Sequence, residues 1–148
     1  MGDRCYLEIT LRREDLSRFA EHVNAAPEEE WWDHLTEEEE CSGVVTLSLH
    51  GANYAWFDER TEAAKAGIPF YGRHDSGGEY GPYCFASWRG NLHEAPVDHD
   101  GNLCVAVDED LKPIGSDLAF LRRYVRTLKK VKAAFAKAEP VAGQEKAA

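Results

Sequence analysis

The stretch DLAFLRRYVRTLKKVKAAFAK, Asp117–Lys137, decides the architecture. Leu118, Leu121, Val125, Leu128, Val131 and Phe135 recur every three or four residues, joined by Phe120 and Tyr124. At about 100° per residue these side chains share one side of a helix, and Arg122, Arg123, Arg126, Lys129, Lys130 and Lys137 take the other. Lys132 alone stands on the apolar side, where its stem runs along the surface and its amine reaches water. A helix of this kind needs an apolar surface to lie on, and the residues upstream supply one.

Cys5, Leu7, Ile9 and Leu11 alternate with Tyr6, Glu8 and Thr10, the period of a half-buried strand. Val45, Leu47 and Leu49 repeat the pattern against Thr46, Ser48 and His50. Between these runs, Leu16, Phe19, Ala20 and Val23 take helical spacing. A second short helix runs from Asp58, a fitting N-cap, to Gly67, a fitting C′ residue. Residues 83–89 read as a strand, and 92–97 with 103–107 as arms of a hairpin around Asp98-His99-Asp100-Gly101-Asn102. The order predicts a single α+β domain over residues 1–138. Its antiparallel or mixed sheet is packed on one face by the long C-terminal helix, with one or two short helices added. Residues 139–148 read as a flexible tail, and no internal repeat is evident.

With 43% apolar residues in a chain of 148, a real core is expected. No apolar run approaches the roughly 18 residues of a membrane span, and the start Met-Gly-Asp-Arg-Cys-Tyr has no secretory pattern. The expected location is cytoplasmic. Cys5, Cys41, Cys84 and Cys104 form no CxxC pair and read as free thiols filling apolar space. The net charge of −10 is segregated: −15 over residues 1–116 and +6 over 117–138. A field of that sign opposes direct binding to nucleic acid and favours a basic protein surface. The basic helix face then reads as lying against the chain's own carboxylates or a second copy, which keeps a homodimer open.

Two segments stand out as binding candidates. The first holds Glu28, Glu29, Glu30, Asp33, Glu37, Glu38, Glu39 and Glu40 without one Lys or Arg, and Trp31 and Trp32 lie between its acidic runs. The second is the Gly/Tyr-rich loop 71–81, from which Tyr71, Arg73, His74, Glu79 and Tyr80 are the expected contact residues. Asp98, Asp100, Asn102 and Glu109 match positions 1, 3, 5 and 12 of a calcium loop, but Leu103 replaces the glycine of position 6 and the flanks read as strands. Cys84, His93, His99 and Cys104 carry zinc-type donors without the close pairs of a zinc site. A plain turn and core thiols are the simpler readings, so no metal and no cofactor is expected. Histidines beside carboxylates, at His74-Asp75 and His93-Glu94, could serve acid–base chemistry. No nucleophile elbow, P-loop, HExxH or dinucleotide fingerprint accompanies them, and the reading leans away from catalysis.

Arg4-Cys5-Tyr6, Asn53-Tyr54-Ala55, Ile68-Pro69-Phe70-Tyr71-Gly72 and Gly77-Gly78-Glu79-Tyr80-Gly81, together with the terminal basic helix, carry a resemblance. The chain resembles a family of small uncharacterised phage and prophage proteins. The resemblance implies a context of binding and blocking host machinery, and it brings no fold, substrate or catalytic residue. The sequence thus sets an expectation: an acidic, non-enzymatic binding module, an inhibitor or adaptor of counter-defence type. It would engage a basic surface of a host protein that handles nucleic acid. Two alternatives stand beside it. One is a small-molecule site or small enzyme built on loop 71–81 with nearby histidines. The other is an assembly protein that self-associates through the C-terminal helix.

Overall fold

The structure, a computed structural model, describes residues 4–23 and 43–138. The alternating runs become β1 (Arg4–Arg12) and β2 (Val44–Asn53), and three further strands follow: β3 (Phe70–His74), β4 (Tyr83–Trp88) and β5 (Asn91–Pro96). They make one sheet in the order β2-β1-β3-β4-β5, antiparallel throughout. The helices are α1 (Leu16–His22), α2 (Phe57–Lys65) and α3 (Asp117–Phe135). The chain is therefore α+β.

The two-residue side-chain period sorts the core onto opposite faces of the sheet. On one face Leu7, Ile9, Leu11, Val45, Leu47, Phe70 and Phe85 pack against Phe19 and Ala20 of α1 and Ala63 and Ala64 of α2. On the other, Ala86, Ala95, Tyr71 and Cys84 meet Tyr124, Val125 and Leu128 of α3. The C-terminal helix thus lies on one face, over β3, β4 and β5, and the two short helices cover the other. Its apolar side is mostly spent on the sheet; Phe120 alone of that set is left about half exposed.

The strand missing from the sequence reading is β3, which occupies the middle of the sheet. Gly72 lies at its centre. A Cβ there would overlap the Glu8 carbonyl of β1 and stand 2.9 Å from Phe85 Cζ, so only a hydrogen leaves room for the ring. The hairpin from β4 to β5 turns on Arg89 and Gly90, with φ of 50° and 88°, the positive pair that a tight two-residue turn demands. Helix α2 ends as expected on Gly67 at φ 86°, where Ile68 N–H reaches Ala63 O and Gly67 N–H reaches Ala64 O. Its start differs: Trp56 takes the N-cap and Asp58 lies in the first turn.

Residues 103–107 do not form a strand of the sheet; Leu103 makes only an isolated bridge to Val97. Two loops of one design follow each other here. Asp98 Oδ1 accepts from the backbone N–H of Asp100 and Asn102, at 2.9 and 2.8 Å. Ten residues on, Asp108 Oδ1 accepts from Asp110 and Lys112, at 2.9 and 3.0 Å. A short structural repeat is present where the sequence reading finds none. Gly101 at φ 83° in the first loop corresponds to Leu111 at φ 62° in the second.

Candidate functional site

Between β2 and α2 the chain must reverse within three residues, and it does so without glycine. Tyr54, Ala55 and Trp56 all take left-handed backbone, with φ of 50°, 52° and 53°. Each such residue costs about 1 kcal/mol, and runs of this kind persist only where the surroundings hold them. Here Arg60, one turn into α2, holds the reversal by donating from Nε to Ala55 O at 2.9 Å.

That reversal and the first turn of α2 form one wall of a cavity of about 490 Å³. Tyr54, Phe57, Asp58, Glu59 and Arg60 come from this wall; His74 from the end of β3, Tyr80 from the following loop, Tyr83 from β4 and Glu94 from β5 close it. Arg60 is only 1% exposed, and its side chain is held on two further sides: Nη1 donates to Glu94 Oε1 at 3.1 Å and the guanidinium lies over the Phe85 ring. Burial pushes its pKa down, and the adjacent Glu94 carboxylate opposes that shift. The arginine keeps its charge.

His74 sits beside this pair with its ring against Tyr80 and Tyr83 at centroid distances of 5.4 and 5.9 Å. Its Nδ1 is 2.8 Å from Asp75 O. A carbonyl oxygen only accepts, so Nδ1 carries the proton and Nε2 the lone pair. Burial lowers the imidazole pKa below its ordinary value, and the charge of Arg60 lowers it further. His74 is therefore neutral near pH 7. The cavity wall then holds three carboxylates, one guanidinium already paired to one of them, and four exposed or half-buried aromatic rings.

Of the contact residues expected from the sequence, His74 and Tyr80 meet in this cavity. Tyr71 lies on the opposite face of the sheet, against Phe135 at 5.8 Å and under Lys132 Nζ at 5.4 Å. Arg73 is also on that face, donating from Nε to Glu8 Oε2 at 3.0 Å, and Glu79 is exposed in the loop away from the cavity wall. Glu28, Glu29, Glu30, Trp31, Trp32, Asp33, Glu37, Glu38, Glu39 and Glu40 lie outside the described residues, as do Cys41 and the tail 139–148.

Of the residues weighed as ion ligands, Asp98 is engaged in a turn and Cys84 packs under the C-terminal helix. Asp98 turns its carboxylate onto the amides of its own loop, and those bonds hold its pKa below the usual value. Asn102 Nδ2 also donates to Asp98 Oδ2, at 3.2 Å, and among the described residues no group of three or more His, Cys, Asp or Glu is placed to hold a metal ion. Burial raises the pKa of the Cys84 thiol, away from the thiolate that a metal takes. Cys5, Cys84 and Cys104 carry free thiols.

Arg60, Tyr54, Phe57, Asp58, Glu59 and Tyr83 are the site residues that sequence reasoning missed, whereas Glu94 is singled out there only beside His93, for acid–base chemistry. One signal was available for Arg60: it shares a helical face with Ala63 and Ala64, the face that small apolar residues mark as buried. Comparison with known protein families, curated proteins and solved structures finds no match for this chain. Among the described residues no helix is long and apolar enough to cross a membrane.

Proposed function

We propose that the protein is a binding module whose cavity receives a cationic group, an ammonium or guanidinium carried by a basic partner. The observation that supports this reading is the composition of the cavity wall. Among the described residues Asp58, Glu59 and Glu94 face a single cation, Arg60, and that cation is bonded to Glu94 and Ala55 O. An incoming anion would meet two uncompensated carboxylates. An incoming cation would meet them together with the rings of Tyr54, Phe57, Tyr80 and Tyr83, which attract positive charge over their faces. The overall charge of −10 draws the same class of ligand from a distance.

Acid–base catalysis is the weaker use of this wall. His74 has its Nδ1 proton committed to a carbonyl, and among the described residues no Ser, Thr or Cys side chain lines the cavity to act as nucleophile. The test is a titration of the full chain with N-acetyl-lysinamide and N-acetyl-argininamide, followed by NMR. Millimolar binding that weakens with salt, with shifts at Tyr80, Tyr83 and His74, is expected, and Glu59→Gln should reduce it severalfold. Binding of acetate or phosphate in preference to either amine would reverse the assignment.

A further inference from the structure

We propose that the open edge of β5 takes an extended peptide of the basic partner as a sixth strand, with its basic side chain seated in the cavity. This deepens the cation-binding reading and rests on it for the charge, whereas the backbone argument stands on the sheet alone.

Among the described residues, strand β5 ends the sheet and has a hydrogen-bonded neighbour, β4, on one side only. The direction of its peptide groups can be fixed from two bonds. Val97 N–H donates to Pro82 O, towards β4, whereas Pro96 O accepts from Cys104 N–H on the other side. Alternation by two then turns the N–H and C=O of Leu92 and Glu94 outward. An unsatisfied row of this kind is a template for another strand. Cys104 and Leu103 cover the Pro96 end, which leaves Leu92 and Glu94 as the open pair among the described residues.

This edge lies along a groove of about 730 Å³ whose two sides are α2 and the start of α3. Phe57 and Phe120, about half exposed, stand on those sides. Phe57, Tyr83 and Glu94 line both the groove and the cation cavity, so the two are continuous. A single extended chain fits between such walls, gives Leu92 and Glu94 their missing partners and lays apolar side chains against the phenylalanines. An identical edge from a second copy would arrive with its own α2 and α3 and meet these walls head-on. A basic residue beside Glu94 then reaches the carboxylates at the far end.

A library of random ten-residue peptides displayed on yeast and selected on the immobilised full chain tests this. Enrichment of sequences with Lys or Arg flanked at alternate positions by β-branched or aromatic residues is expected. A synthetic peptide from that pool should slow amide exchange at Leu92 and Glu94 at least tenfold. N-methylation of its alternate amides should weaken binding at least tenfold, and because this change is made in the ligand, folding of the protein is untouched. A selected peptide indifferent to N-methylation overturns strand addition, even where replacing its basic residue by norleucine shows that the cavity reads charge. Loss on N-methylation with no effect of norleucine upholds strand addition and removes the cation reading. No enrichment, or a dimer in light scattering whose Leu92 and Glu94 amides are already protected, overturns the proposal.

Discussion

The guanidinium carbon of Arg60 stands 4.1 Å from the centroid of the Phe85 ring, so the most deeply buried cation of the described residues rests on the core and reaches the cavity at once. Its ion pair with Glu94 is unequal, because the arginine side chain is 1% exposed and the glutamate 27%. Removing the carboxylate strands a charge away from water. Removing the cation leaves a carboxylate that water can still reach. Glu94→Leu is therefore expected to cost about 3 kcal/mol or more, and Arg60→Met about 2 kcal/mol despite the lost bond to Ala55. Urea denaturation of both variants measures the order; a larger loss for Arg60→Met would mean that the left-handed turn, and not the ion pair, is what the arginine chiefly supports.

Gly72 sets how closely β1 and β3 approach under the Phe85 ring. An alanine there has no flexible neighbour to displace, since the first atom it meets is the Glu8 carbonyl oxygen. Gly72→Ala should cost about 3 kcal/mol, at the upper end of overpacking penalties. At Gly51 the nearest atom to a new Cβ is the mobile tip of Arg4 at 3.8 Å, and Gly51→Ala should stay within about 0.5 kcal/mol of wild type. Equal midpoints for the two variants would show that β3 can slide off β1 at little cost.

The elements that the sequence reveals are those whose own period matches their burial. Strands β1 and β2 alternate cleanly, and α3 repeats its apolar residues every turn. Strand β3 hides because Phe70-Tyr71-Gly72-Arg73-His74 carries a glycine where an isolated strand would weaken, and because both its faces are covered by distant segments. Once its strand character is known, parity divides the expected contact residues: Tyr71 and Arg73 go to one face, His74 to the other. The cavity depends on pairings such as Arg60 with Glu94, 34 residues apart, and on a left-handed turn with no glycine to announce it. Neither leaves a local trace.

The parity argument has a mechanical consequence. Tyr71 packs beneath Phe135 and Lys132 and so anchors the end of α3, whereas Tyr80 lines the cavity. Tyr71→Ala should lower the unfolding free energy by about 2 kcal/mol and leave the N-acetyl-lysinamide titration unchanged. Tyr80→Ala should weaken that titration. A Tyr71→Ala protein of wild-type stability would contradict the packing assigned to it.

His74 gives the fold a dependence on pH whose sign follows from its burial. Its folded pKa lies below the unfolded value of about 6.5, so below that pH the unfolded chain takes up a proton that the folded chain refuses. Its contribution is fully present above about pH 6.5 and is lost as the pH falls towards the folded pKa. His93 acts in the same direction, lowered by burial and then by Arg123 and Arg126. Urea midpoints between pH 7.5 and 5 should decline for the wild type and decline less for His74→Gln. An unchanged slope in that variant would place the titrating group elsewhere.

Leu111 and Gly101 occupy the same place in the two repeated loops, and only one of them suits it. A side chain at φ 62° crowds the following carbonyl, which costs about 1 kcal/mol, and at 79% exposure Leu111 recovers little by packing. Glycine removes the crowding but gains freedom in the unfolded chain, which returns part of the difference. Leu111→Gly should therefore raise stability by about 0.5 kcal/mol, and Gly101→Ala should lower it by about 1 kcal/mol. The two substitutions are tests of one geometry, because Asp98 and Asp108 close their loops with the same pair of amide bonds. If Leu111→Gly instead destabilised the protein, the leucine would have to be making contacts that outweigh its backbone strain.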